Sequence, residues 1–541
     1  MGRREFVKSI AALASTAAIG GIVHAQQARA AVEKRSIITS TAQLDPARPE
    51  IARLVAQACR SLGWEVESSP MDYNAGIQKV VMRHDFDMFL VHFAGAANRI
   101  DPNFFIYNAH HSGEHKPGGV NWMGYKSERF DAVAALQGRS MEAENRRRIV
   151  FEAQEIIFQD QPGTVLAYPQ ITMAHRSDKL KGLVPQLGEG VGSFWSDVNM
   201  EVTGDGYSRT GMNADIKHLN PVAANDGLEF AELSMIYDRL FRIGSDGKPV
   251  PWAATAMKMV DSQTLDLTIR QGMRWHDGKP VTAEDVKFSF DYLKKWKAPF
   301  FQTALNNVIA VSLPNSNTVR VKLESPSASF VSNLLAAMFV IPKHIWQDIL
   351  EKAGSDDPLK LQNDKPIGSG PFKFDHWRRG SEMKVSAFRE HFNPPKCAGI
   401  IRIVYGSQDA IAAAIESGEC DRSRYILSPA LVDRLKNVKN VVAKGYISHG
   451  FYHLAYNNKI KPFSDPGFRQ ALNYVMPRQT MRDLVLLGYA EPGAAVIAPA
   501  NAFWHNPAIK PPGEDVRKAR DLLAKAGYSW NSQGKLLYPP A

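Results

Sequence analysis

Three cysteines in 541 residues, Cys59, Cys397 and Cys420, are too few to staple a chain of this size, and none has the C-x-x-C spacing of a zinc or redox site. At most one disulfide can form, and three partly buried free thiols are the simpler expectation. Long apolar runs are also missing: the stretch Ile10 to Val23 has 14 residues, too few to cross a bilayer. The chain contains no G-x-S-x-G, no H-E-x-x-H and no P-loop, and Gly188, Gly190 and Gly192 lack the strand and helix context of a dinucleotide site. Charge leans only modestly, with 65 basic against 55 acidic residues and a formal net charge of +10. Its basic clusters, Arg146-Arg147-Arg148 and Arg378-Arg379, are short and isolated, so they read as solvated faces and not as a nucleic-acid footprint. These absences argue against an enzyme, a nucleic-acid binder and a membrane-spanning protein.

The amino-terminal segment has the composition of an address. Arg3-Arg4-Glu5-Phe6-Val7-Lys8 is a basic start, the apolar run follows, and Ala28-Arg29-Ala30 fits a cleavage site, with Val23-His24-Ala25 as its competitor. Residues 1–30 therefore read as an export leader resembling a twin-arginine signal, which places the mature chain in the periplasm. Beyond it, length bounds the protein at about three domains. Arg35 to Ser40 reads as a strand, and Ile51, Leu54, Val55, Ala58 and Leu62 lie on one face of a helix that Gly63 ends. Trp64 to Glu67 and Phe86 to Phe93 supply two more strands, with helical Ala75 to Val81 between them. Alternating strands and helices predict an α/β lobe with its ligand edge beyond the strand carboxyl ends, at the loop Ala94 to Pro102. Glu142 to Phe158 and Glu514 to Ala526 read as amphipathic helices, and Thr282-Ala283-Glu284-Asp285 as a helix start. The Gly-, Asp- and Ser-rich stretch Thr203 to Thr210 reads as a connection and a candidate boundary.

A set of short segments in fixed order carries a resemblance. Leu219-Asn220-Pro221 and Tyr237-Asp238-Arg239-Leu240 are followed by Met273-Arg274-Trp275-His276-Asp277-Gly278-Lys279-Pro280, running on to Val286, and by Pro366-Ile367-Gly368-Ser369-Gly370-Pro371-Phe372. Glu416-Ser417-Gly418-Glu419-Cys420-Asp421, Asn457-Asn458, Pro462-Phe463-Ser464-Asp465 and Arg469-Gln470-Ala471-Leu472 complete the series. Together these resemble the family-five extracellular solute-binding proteins of bacterial ABC importers, the dipeptide, oligopeptide and nickel receptors. Residues 36–175, with Leu62-Gly63-Trp64-Glu65-Val66, Phe86-Asp87-Met88 and Asp101-Pro102, resemble what is normally that family's carboxyl-terminal half. Here this half comes first, so the chain reads as a circular permutant.

The resemblance implies a circularly permuted, two-lobed periplasmic-binding-protein fold of type II with an extra domain. One lobe would combine residues 34–164 with 451–541. The other would take 165–243 and 367–450, with 244–366 appended, and hinges would lie near Phe451 to Tyr456 and Tyr168 to Met173. The ends at Lys34 and Pro539 would then lie within about 20 Å of one another. It further implies a monomeric receptor without cofactor that hands a small solute to the transmembrane subunits of an ABC permease. By resemblance, Asn225, Asp226 and Gly227, Arg424 and Tyr425, and Phe93, Ala94, Gly95, Ala96 and Asn98 would line the cleft. Peptide receptors of the family carry an aspartate in the last of these loops, clamping the ligand's amino group; Ala96-Ala97 stands there instead, which argues against free dipeptides. Two other readings follow from particular features. His110, His111 and His115 offer imidazoles for a nickel or metal-chelate receptor of the same family, and a twin-arginine-like leader also suits an exported enzyme loaded with a cofactor.

Overall fold

A computed structural model of the chain describes residues 29–95 and 99–540. The leader-like segment through Ala28, and Ala96, Ala97 and Asn98, lie outside the described residues. Two mixed sheets form the scaffold. The first runs in the order Val66–Met71, Arg35–Ser40, Met88–Phe93, Phe451–Tyr456, Gly163–Pro169, Ala490–Pro492. Its first three strands are parallel, and Phe451–Tyr456 is antiparallel to both neighbours, pairing Phe451 with Phe93 and Tyr456 with Met88. The central strands are apolar because both faces are covered. Helix Ala47–Arg60 turns Ile51, Val55 and Cys59 into a core shared with Phe463, Phe468, Leu472 and Leu523. Residues from both ends of the chain thus build one lobe.

The described ends meet directly. The Val32 amide donates to the Leu536 carbonyl at 2.9 Å and the Tyr538 amide to the Ala30 carbonyl at 2.9 Å. Gly63, which ends the first helix at φ +77°, is held against this tail: a Cβ on it would lie 1.9 Å from the Gly534 carbonyl oxygen, so only glycine fits.

The second sheet orders Phe372–Arg378, Glu382–Ala387, Gly399–Val404, Tyr207–Met212, Arg422–Ser423, Ile171–Arg176 and Val441–Tyr446. A separate four-stranded antiparallel sheet, residues 254–323, packs with helix Ala283–Lys295 onto the same core. That helix starts with a complete capping box between Thr282 and Asp285. The polar stretch read as a boundary is only partly a connection. Residues 203–206 turn, but Tyr207–Met212 is the middle strand of the seven, with Ser208 and Thr210 fully buried. All three cysteines are free and buried, and burial pushes their thiols up to about 12, 11 and 12 for Cys59, Cys397 and Cys420.

The chain passes between the two large sheets twice. One passage is at Gln170, between Gly163–Pro169 and Ile171–Arg176; the other is Ile447 to Gly450, between Val441–Tyr446 and Phe451–Tyr456. Phe451–Tyr456 is itself a strand of the first sheet, so the second passage precedes it.

Candidate functional site

The passages and the loop after Met88–Phe93 meet in a junction made of glycines. A Cβ on Gly95 would lie 2.5 Å from Ser448 Oγ and 3.2 Å from both Gly188 Cα and the Gly450 nitrogen. One on Gly188, whose φ is +83°, would meet the His449 ring at 2.5 Å and the Gly95 carbonyl oxygen at 3.0 Å. Side chains at either position would wedge the lobes apart. Gly95 is therefore at the seam, and Phe93 and Ala94 lead into it, with Arg99 donating to the Ala94 carbonyl at 3.0 Å and lying over the Phe93 and Phe104 rings.

On the facing lobe a buried charge network lies behind this seam. Asp197 accepts from Arg402 at 3.0 Å and from Arg422, and Arg402 also donates to Glu232 at 3.1 Å. Arg424 approaches the other Glu232 oxygen only to 4.0 Å and lies 5.3 Å above the Tyr425 ring. Its backbone and guanidinium close over Gly192, where a Cβ would lie 2.4 Å from the Arg424 carbonyl oxygen. Arg424 Nε, the Tyr425 hydroxyl and Glu232 Oε1 are buried without a hydrogen-bond partner. Burial raises the Tyr425 phenol well above its ordinary value, so it is a neutral donor at pH 7. Glu189, one residue after Gly188, has its pKa raised by burial against the opposing pull of Arg424 and Arg239. A guanidinium Nε–H and a phenolic hydroxyl without acceptors are donors of the kind that can bind a carboxylate.

The other predicted residues are placed differently. Asn225 and Gly227 are exposed at the start of helix Gly227–Ile236, and Asp226 caps it by accepting from the Glu229 amide at 3.0 Å while pairing with Lys217 at 3.2 Å. Their partners are local and none is Arg424 or the Phe93–Gly95 edge. Ala96 and Asn98 lie outside the described residues. Asp101 is engaged: Arg146 donates to both its oxygens at 2.6 and 3.0 Å. The imidazole set does not converge. His110 is buried with Nδ1 on the Phe105 carbonyl at 2.6 Å, His111 accepts from the Gly113 amide and stacks on Tyr107, and His115 stacks on His84. Among the described residues no three His, Cys, Asp or Glu side chains are grouped to hold a metal ion. Glu189 and Glu232 escaped the sequence reading, and no local motif marks either.

Two sheets joined by two passages, with a charged seam between them, define a two-lobed periplasmic-binding-protein fold of type II. The family model of the bacterial extracellular solute-binding proteins, family 5 Middle, matches residues 248–540, and the chain belongs to this family. Glutathione-binding protein GsiB of Salmonella typhi is 28% identical over 331 residues, covering 59% of this chain and 60% of its own. GsiB of Shigella flexneri is 27% identical over the same length. The chain thus spans about 60% of the length of the curated relatives it matches. Among solved structures, NikZ from Campylobacter jejuni in complex with Ni(L-His) aligns with a TM-score of 0.50 and 23% identity, covering 62% of this chain and 65% of that one. The substrate-binding protein CtaP of an ABC transporter from Listeria monocytogenes aligns at 0.50 and 26% identity, covering 60% and 66%.

Proposed function

We propose that the protein is the solute-capturing component of an ABC import system, taking a carboxylate-bearing organic solute between its lobes and presenting it to the permease's transmembrane subunits. The observation that carries this reading is the Arg424–Tyr425 pair behind the seam, a cation and a neutral donor whose buried Nε and hydroxyl have no hydrogen-bond partner. Capture would proceed by rotation at Gln170 and at Ile447 to Gly450, few enough torsions to leave each lobe rigid. The receptor works as a monomer in the periplasm, exported through its twin-arginine-like residues 1–30. The GsiB relatives make glutathione the first solute to test.

The test is native mass spectrometry of protein purified from periplasm, followed by thermal shift with glutathione, simple dipeptides and nickel chelates. Ligand at a hundredfold over Kd stabilises by about 2.7 kcal/mol. A carboxylate-bearing solute should co-purify, and Arg424→Ala should abolish its shift. A tightly held redox cofactor, or a shift that survives Arg424→Ala unchanged, would overturn the reading. Large shifts with ordinary dipeptides at micromolar concentration would refute the inference from Ala96-Ala97.

We further propose that the chain is a circular permutant whose lobes are 34–164 with 451–541, and 165–243 with 367–450 and the appended 244–366. Support comes from the sheet shared by Met88–Phe93 and Phe451–Tyr456, and from end pairing at Ala30 and Tyr538. Matches covering only about 60% of both partners are what a collinear comparison yields when the order of segments differs. A chain joined from Pro540 to Ala30 by a short linker and opened at Gly204 should fold with the same melting temperature within a few degrees. Failure to fold would count against the permutation.

A further inference from the structure

The loop leaving Met88–Phe93 is anchored in the opposite lobe. Ile100 is 4% exposed and is the single described residue before Leu180 in the core that fills the other lobe and its appended region. Its Cδ1 lies 2.4 Å from where a Cβ on Gly247 would stand, with Leu187 beside it. The Asn501 side chain holds the Ile100 carbonyl at 2.7 Å, so the loop backbone is fixed from its own lobe.

The next residue continues the attachment. Asp101 is held by Arg146, and Ser332 Oγ of the appended region donates to the same carboxylate at 2.9 Å. Arg146 reaches the Ala328 carbonyl at 3.4 Å, and the Ala328 amide donates to the Gly138 carbonyl at 2.9 Å. Gln137 Oε1 accepts from Arg146 at 3.0 and 3.2 Å, which sets the guanidinium's direction. Asp101, Gln137, Gly138 and Arg146 share one lobe, so their pairing is complete without the other. Among the described residues, the polar partners of this cluster that arrive from the other lobe are the Ser332 hydroxyl and the Ala328 peptide groups. Separation of the lobes at this loop therefore re-exposes Ile100 and breaks three hydrogen bonds but leaves no buried charge unpaired, whereas beside the Gln170 passage the lobes are also joined by the Tyr489 hydroxyl, which donates to Asp433 at 2.7 Å.

We propose that Ile100 together with residues 328–332 is a closure catch: the appended region grips the cleft loop and holds the lobes shut, independently of solute. It biases an open–closed equilibrium by interactions made in the closed state alone. The gripped loop follows Gly95 at the seam, so on the proposed function solute and catch act on a single element.

Small-angle scattering and amide exchange on the full chain, stripped of solute by unfolding and refolding, test this with Ile100→Ala and Ser332→Ala. Each variant should enlarge the radius of gyration. Each should also speed exchange about tenfold, or about 1.4 kcal/mol, in both residues 99–103 and 328–333. Unchanged exchange in Phe451–Tyr456 certifies that the variant is folded. A radius equal to that of the parent chain, or faster exchange confined to the substituted lobe, would overturn the catch.

Discussion

Asp197→Asn is the sharpest test of how the lobe behind the seam is held together. Asp197 is 1% exposed and lies in the short helix Phe194–Asn199. It neutralises Arg402, from Gly399–Val404, and Arg422, from Arg422–Ser423 on the far side of Tyr207–Met212, while Glu232 shares Arg402 from helix Gly227–Ile236. Arg422 also donates to the Val191 carbonyl at 2.9 Å and to Thr210 at 3.1 Å, so it cannot swing to water. Asparagine keeps the shape but removes the carboxylate that pairs with Arg422, and leaving a buried ion unpaired costs about 3–5 kcal/mol. Burial opposes ionisation of Asp197, but Arg402 and Arg422 outweigh it and hold the folded pKa below 3.8. A depressed folded pKa contributes stability that is fully present above the unfolded value and is lost as pH falls through the folded one. Urea unfolding followed by exchange in Tyr207–Met212 should therefore show the loss at pH 7, and an acid arm below about pH 4 shallower in the variant than in the parent. A loss under about 1 kcal/mol, or identical acid arms, would refute the claim that this network holds the lobe.

Burial pushes His110 down to about 4 and His453 to about 3, so both are neutral when folded and protonate more readily unfolded. Stability should then fall as pH drops from about 6.5 toward those values, and His453→Leu should flatten that slope in thermal melts across pH. The three thiols should resist a thiol reagent in the native protein and all react after denaturation, because burial keeps them protonated. Gly188→Ala should favour the open form more than Gly95→Ala does, since it adds a left-handed backbone penalty to the clash with His449; scattering reads both.

Local periodicity carried the elements. The strand read at Arg35 to Ser40 is present with those bounds, and the helix read from Glu142 to Phe158 is Ala143–Asp160. Composition failed where polar residues are buried in a sheet: Ser208 and Thr210 made Tyr207–Met212 look like loop, yet both are fully buried in its middle strand. Of the proposed cleft residues, Arg424 lies buried against Glu232 and Tyr425 keeps its hydroxyl without a partner. Contacts between residues distant in sequence were illegible. Asp101 meets Arg146 across 45 residues and Ser332 across 231, separations at which no pattern in one sequence announces a contact. Asn225 to Gly227 show why such a loop is ambiguous in sequence: Asp226 caps helix Gly227–Ile236, and a loop that begins a helix offers the same polar residues whether it faces a ligand or caps a backbone.

Chain order and hinge geometry are separable in this fold. The polypeptide passes between the lobes at Gln170 and at Ile447 to Gly450, and its described ends pair through Ala30 and Tyr538. Joining those ends gives a closed loop that still crosses twice. Opening that loop anywhere inside either lobe leaves two crossings, while opening it at a crossing leaves one and removes half the hinge. On the permuted reading, the ends have moved from the turn at residues 203–206 in one lobe to Ala30 and Pro540 in the other, and both positions satisfy the rule. The Phe93 to Gly95 edge, the Gly95–Gly188 junction and the position of Arg424 depend on the sheets and the crossings alone. A permutation of this kind therefore leaves the binding machinery intact while changing which lobe must wait for the last residues of the chain before its core can close, here the one completed by Leu523 and Leu536.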